Sequence, residues 1–197
     1  MCEQIEKEEA REIIRCLRSC LTPAEKEEMS LAAARRLFPL LKHAPRVLCY
    51  ADLPKEAGTR ELVRLLRTAG VRVAFPKVEG EKIAFYEADS FGELIPGAMN
   101  IPEPSGTAPP VFWPEAPVVT PGLAFDRRGG RAGYGGGFYD RFFAEEPDHT
   151  AIGFCFGFQV TEKPLRLSSH DRRMDLLATE NGIFSCHGGV RLENKRL

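Results

Sequence analysis

The chain of 197 residues is 43% apolar and 28% charged, the balance of a single globular domain with a proper core. A formal net charge of −1 gives no global field to draw nucleic acid or an acidic membrane, so positive character has to be local. No apolar run approaches the length of a membrane span, and the expectation is a cytoplasmic monomer acting on small molecules.

In chain order, "QIEKEEAREIIRCLRSCL" (4–21) sets Ile5, Ala10, Ile13, Ile14, Leu17 and Leu21 at helical spacing and predicts a first helix. Thr22-Pro23-Ala24-Glu25 reads as a capping box with proline at the first helical position, opening a second helix through "EKEEMSLAAARRLFPLLK". "RVLCYA" (46–51) predicts a buried strand. "TRELVRLLRTAG" (59–70) follows as a helix whose apolar face is Leu62, Leu65, Leu66 and Ala69, stopped by Gly70. "VRVAF" (71–75) is the next strand, ended by Pro76. This βαβ unit argues for a parallel sheet flanked by helices.

"KVEGEKIAFYEA" reads as a hairpin-like excursion around Gly80. The stretch 95–117 holds seven prolines but also Met99, Ile101, Phe112 and Trp113. That is too much apolar surface for a tether, so it is expected to be an ordered loop lying on the domain. Beyond it come a strand at 118–120, a turn at Pro121-Gly122, a short helix over 138–145, and strands at 150–156 and 175–180. Six cysteines stand without a CxxC pair and without an apolar leader before them, the usage of reduced thiols. Cys16 and Cys20, one helical turn apart with no histidine nearby, read as small helix residues rather than metal ligands.

"GGRAGYGGGFYDR" (129–141) packs six glycines into nine positions. Glycine backbones can turn successive amides to one side and approach an anion closely, and a helix start adds unpaired N–H groups. Strand 118–120, glycine turn, then helix is a layout in which phosphate loops occur. Arg131 and Arg141 would add full positive charge. Asp140 suits such a site if a divalent cation bridges it to phosphate. Neither GxxxxGK[ST] nor GxGxxG with its acidic partner is present, so a nucleotide is supported but not a particular one.

"PGLAFDRRGGRAGYGGGFYDR" resembles the signature of the 5-formyltetrahydrofolate cyclo-ligases, also called 5,10-methenyltetrahydrofolate synthetases. Lys7, Arg11, Arg18 and Leu21-Thr22, then Glu56 and Thr59, "GAMNIPEP" (97–104), "GFQV" (157–160) and "HDRRMD" (170–175) match further family elements in the family's order, across about 5–184. The chain departs from the pattern at Ala132, at Thr120 and in "EAGT". The resemblance implies a three-layer α/β fold with a central, mostly parallel sheet, similar to ribose-phosphate isomerase and CoA-transferase-like folds, with two N-terminal helices. It also implies one domain over 1–185 and a frayed tail over 186–197.

The chemistry it implies is ATP- and magnesium-dependent closure of 5-formyltetrahydrofolate to the 5,10-methenyl form, by phosphorylation of the formyl oxygen and attack of the neighbouring nitrogen. By resemblance, Lys7, Arg11, Arg131, Ala132, Gly133, Tyr134, Gly135, Gly136, Gly137, Phe138 and Tyr139 hold ATP. Ala51, Glu56, Tyr134, Gly135 to Gly137 and Phe138 hold the folate, Asp140 and Asp171 hold Mg2+, and Arg131 and Asp140 are catalytic. From spacing alone Lys7 and Arg11 would be a solvated helix face, Asp171 a turn carboxylate, and Tyr134 and Phe138 core aromatics. His170 is read as structural or orienting. Two rival readings stay open: an isomerase or transferase on a similar fold, and a non-catalytic folate-, nucleotide- or RNA-binding relative.

Overall fold

The computed structural model describes residues 3–97, 101–186 and 191–192. The N-terminal half follows the local signals closely. Helix α1, Lys7–Ser19, runs into Thr22, whose hydroxyl accepts from the Glu25 amide at 3.2 Å while the Glu25 carboxylate accepts from the Thr22 amide at 2.9 Å. That reciprocal cap, of the kind that stabilises a helix by about 1 kcal/mol, starts helix α2, Pro23–Leu41. Strand β1 (Arg46–Cys49), helix α3 (Arg60–Thr68) and strand β2 (Arg72–Glu79) form the βαβ unit. Gly70, at φ +80°, makes the turn that ends α3.

Strand β3 (Lys82–Glu87) returns antiparallel to β2 around Gly80, at φ +64°. β2 continues through Pro76 instead of ending there. β1 covers β2 only as far as Ala74, so from Pro76 onward one edge is open and a residue without an N–H is tolerated. The proline-rich stretch packs on the domain. Strands β4 (Leu94–Pro96) and β5 (Pro102–Pro104) pair as a hairpin, and Trp113 is buried beneath the Arg46 and Arg72 guanidiniums. Met99 falls outside the described residues.

Strand β6 is Val118–Thr120. A small hairpin of β7 (Ala124–Asp126) and β8 (Arg131–Ala132) then stands between β6 and the glycines, where the sequence suggested a direct strand-to-loop step. Helix α4 spans Phe138–Glu145 as expected. Strand β9 is Ala151–Phe154 and β10 Val160–Thr161, the latter pairing with β7. β11 is Leu176–Thr179 and β12 Gly182–Ser185, and β13 is Arg191–Leu192. β12 and β13 were not foreseen, and the tail expected to fray contributes the outermost strand of the sheet through Arg191–Leu192.

The main sheet runs β13-β12-β11-β9-β6-β1-β2-β3. From β11 to β2 the neighbours are parallel, and the antiparallel strands lie at the edges. Alternate residues feed two cores. Val47, Cys49, Val73 and Phe75 meet α2 and α3 on one face, while Leu48, Ala74 and Val118 meet Phe142 and Phe143 of α4 on the other. The expected three-layer α/β fold with two N-terminal helices is therefore the one observed.

Helix α1 lies apart from these layers, on the β10-β7-β8 sheet. Ala10 and Ile14 pack with Ile5, Ala124, Ala132 and Leu165. Its inward stripe is narrower than the apolar spacing implied. Ile13 and Leu17 stay exposed, and Arg18 takes the next buried position. Among the described residues no helix is long and apolar enough to cross a membrane.

Candidate functional site

The sheet order reverses between β1 and β6: the chain builds outward to β2 and β3 on one side and to β9 and β11 on the other. In doubly wound sheets the crevice beyond the strands' carboxyl ends at such a point receives the ligand. Here a cavity of about 460 Å³ opens there, bordered by Tyr50 and Ala51 after β1 and by Pro121 after β6.

The segment after β1 is pinned from inside. The Thr59 hydroxyl donates to the Tyr50 carbonyl at 2.8 Å, the Tyr50 hydroxyl to the Ala57 carbonyl at 2.7 Å, and the Glu56 amide to the Leu53 carbonyl at 2.9 Å. This presents Glu56, only 4% exposed, to the cavity, with Oε2 accepting from the Leu53 amide at 2.8 Å. Burial pushes the Glu56 carboxyl above its ordinary range; the Leu53 amide, the Tyr134 hydroxyl and Arg18 oppose that rise. Buried Arg18 donates from Nη1 to the Tyr134 hydroxyl at 2.8 Å and from Nη2 to the Gly122 carbonyl at 2.7 Å. It ties α1 to the rim of the glycine loop. Burial raises the Tyr134 phenol, so the hydroxyl that accepts from Arg18 is neutral.

The glycine loop itself splits in two. Gly129, at φ +83°, is packed where a Cβ would overlap the Met174 carbonyl. The Gly130 amide donates to Asp126 Oδ1 at 2.9 Å. Asp126, 1% exposed, also accepts from the Arg128 and Leu165 amides at 2.7 Å each, so this first turn is an internal brace. Gly133 and Gly135 to Gly137 line the cavity instead. No protein acceptor is found among the described residues for the Gly135, Gly136 and Gly137 amides, and the first-turn amides of α4 follow them. Gly135 and Gly137 take φ +105° and +68°.

Cations surround these amides. Lys7 Nζ lies 2.8 Å from both Asp171 oxygens, Arg11 Nε donates to the Gly133 carbonyl at 2.8 Å, and Arg131 Nη2 donates to Asp140 Oδ2 at 2.8 Å. Arg131 Nε and the Tyr139 hydroxyl are buried without a partner. Burial alone would raise the Asp171 carboxyl, but hydrogen bonds from Lys7 and Ser168 outweigh it and hold the group below its ordinary range. Asp140 also accepts from the Arg172 amide at 3.2 Å.

Of the predicted site residues, Lys7, Arg11, Ala51, Glu56, Arg131, Gly133 to Gly137, Phe138, Tyr139, Asp140 and Asp171 all border this one cavity. Ala132 does not: its side chain is buried against Ile5, Ala10 and Ile14, and its carbonyl accepts from the Leu123 amide. Arg141 does not border the cavity; it donates to the Glu81 and Gly136 carbonyls and lies over the Phe138 ring. Sequence reasoning gave no role to Glu103, which lines the opposite wall with Pro76, Val78, Ile83 and Ile101, or to Asp126. Asp126 closes "PGLAFD" and Glu103 stands in "NIPEP", so both lay inside recognised strings.

Fold and cavity define a class: an α/β protein with its ligand cavity at the switch point of the sheet, cations gathered around a bare glycine loop, and buried carboxylates toward β1 and β2. The comparisons narrow the class. The chain belongs to the 5-formyltetrahydrofolate cyclo-ligase family, whose sequence profile matches residues 3–180. It is 31% identical over 160 residues to the 5-formyltetrahydrofolate cyclo-ligase of Escherichia coli K12, covering 77% of this chain and 88% of that one. It is 24% identical over 164 residues to a probable 5-formyltetrahydrofolate cyclo-ligase of Schizosaccharomyces pombe, covering 75% and 80%. Among solved structures, Aquifex aeolicus 5,10-methenyltetrahydrofolate synthetase superposes with a TM-score of 0.79 at 30% identity, over 95% of this chain and 96% of that one.

Proposed function

We propose that this protein is an ATP-dependent 5-formyltetrahydrofolate cyclo-ligase, with ATP phosphates at the glycine loop and the pterin between that loop and Glu56. One observation carries the reading: the unengaged amides of Gly135 to Gly137 and the buried carboxyl of Glu56 open into the same cavity. Net conversion is 5-formyltetrahydrofolate and ATP to 5,10-methenyltetrahydrofolate, ADP and phosphate. A formamide is a poor electrophile because its nitrogen donates into the carbonyl. Moving the γ-phosphoryl group to the formyl oxygen makes that oxygen a leaving group. The neighbouring folate nitrogen then attacks the formyl carbon, loses its proton, and phosphate departs.

The protein's part is positioning and charge neutralisation. Arg131, Lys7 and Arg11 neutralise phosphate charge, and Arg131 with Asp140 stands where the transfer would take place. The buried, unpartnered Arg131 Nε and Tyr139 hydroxyl are donors that fit an anionic ligand. Asp140 and Asp171, carboxylates that border the same cavity and are paired with Arg131 and Lys7, would hold Mg2+ through hard oxygen donors. Bound there, the ion would supply charge neutralisation between phosphate oxygens. Glu56 would accept from the N–H edge of the pterin, and Tyr134 and Phe138 offer flat surfaces to its rings. The cytoplasmic, monomeric state is part of the same proposal; the thiols Cys16, Cys20, Cys49, Cys155 and Cys186, unpaired with one another, support its reducing compartment.

Purified protein given Mg-ATP and 5-formyltetrahydrofolate should develop the near-ultraviolet absorbance of the methenyl product. Intact folate binding with no absorbance rise would favour the non-catalytic binding protein instead.

A further inference from the structure

Glu56 and Glu103 both reach the cavity, and their surroundings differ. Glu56 accepts from the Leu53 amide at 2.8 Å and has the Arg18 guanidinium close enough to favour its charged form. Glu103, on β5, is 4% exposed, yet among the described residues its carboxylate accepts one hydrogen bond, a long 3.3 Å contact from the Val78 amide to Oε1. A carboxylate offers about four lone-pair sites, and those that the Val78 amide leaves free on Glu103 border the cavity beside Val78, Ile83 and Ile101, open to a donor on a ligand.

The backbone is cut to fit this carboxylate. Gly97, whose amide donates to the Ile101 carbonyl at 2.8 Å, carries no side chain where any Cβ would overlap the Glu103 carboxylate. Glu56 follows β1, whereas Glu103 is held by the Val78 amide of β2, the adjacent strand, and both border the one cavity. A flat bicyclic ring bound there would present different polar edges to the two carboxylates.

We propose that Glu103 is a second pterin-recognition residue, accepting the ring N8–H of a reduced folate while Glu56 takes the pyrimidine edge. This rests on the proposed function. A fully oxidised pterin has an acceptor at N8 and would set its lone pair against the carboxylate. Glu103 therefore selects for the reduced ring.

Glu103→Gln should raise the folate KM, and the folate Kd measured without nucleotide, about tenfold while the ATP KM stays within twofold. Gly97→Ala, which displaces the carboxylate, should shift folate affinity in the same direction and serves as the test if Glu103→Gln does not fold. An 8-deaza analogue with CH2 in place of N8–H should bind wild-type protein about tenfold more weakly than its parent, and bind Glu103→Gln no more weakly than wild type. Unchanged affinity for the parent folate in the variants, or an equal penalty for parent and analogue, would overturn the assignment. Wild-type protein that neither binds nor converts the folate would overturn the functional reading itself.

Discussion

Gly129 and Gly130 stand a few residues from Gly135, Gly136 and Gly137, and the two groups do opposite work. The first pair is buried, with the Gly130 amide held by Asp126 and Gly129 wedged against Met174. In the second group no amide has a protein acceptor among the described residues, and around Gly135 there is open space where a side chain would stand. Glycine supplies conformational freedom in both; what separates a brace from a binding loop is whether the chain has already engaged its own N–H groups. A buried carboxylate at the right spacing makes the brace, and its absence leaves the loop ready for an anion.

The sharpest way to break this comparison is a methyl group at each end. Gly129→Ala meets a left-handed φ and a main-chain carbonyl together, so it should cost more than about 2 kcal/mol. That corresponds to a thermal midpoint lowered by roughly 5 °C or more, with activity lost only as the fold is lost. Gly135→Ala meets open space and only the φ penalty, about 1 kcal/mol. Its midpoint should fall by about 2–4 °C, whereas its ATP KM rises at least tenfold. Equal thermal losses, or an unaffected ATP KM in Gly135→Ala, would erase the distinction.

A smaller effect sharpens the other end of the cavity. The folded protein holds the Glu56 proton to higher pH than the unfolded chain does. Stability is therefore lost as pH rises from the ordinary carboxylate value through the raised one. Glu56→Gln removes that loss. The difference in thermal midpoint, variant minus wild type, should grow more positive between pH 4 and pH 7, while folate binding is abolished. A difference that stays flat with pH would mean that Glu56 titrates as an ordinary carboxylate.

Much of this architecture could be read from local chemistry. The Thr22–Glu25 cap, the Gly80 turn and helix α4 follow from short-range signals that tertiary contacts did not override. The cavity residues came from the resemblance, since Lys7 or Asp171 alone carries no sign of which way it points. What stayed hidden depends on partners far along the chain. β7 and β8 are too short to show a period. Pro76 sits within a strand because β1 stops short of it, and Arg18 is buried because Gly122 and Tyr134 come to meet it. Glu103 looked like part of a proline-rich loop until β2 supplied its wall.

The central claim is that main-chain amides of the second glycine group, and not of the first, receive the nucleotide phosphates. Amide proton–nitrogen spectra recorded while a non-hydrolysable ATP analogue and Mg2+ are added test it directly. The account predicts large shifts for Gly135, Gly136 and Gly137, with Gly129 and Gly130 nearly still. Saturable binding that leaves Gly135 to Gly137 unmoved would contradict it.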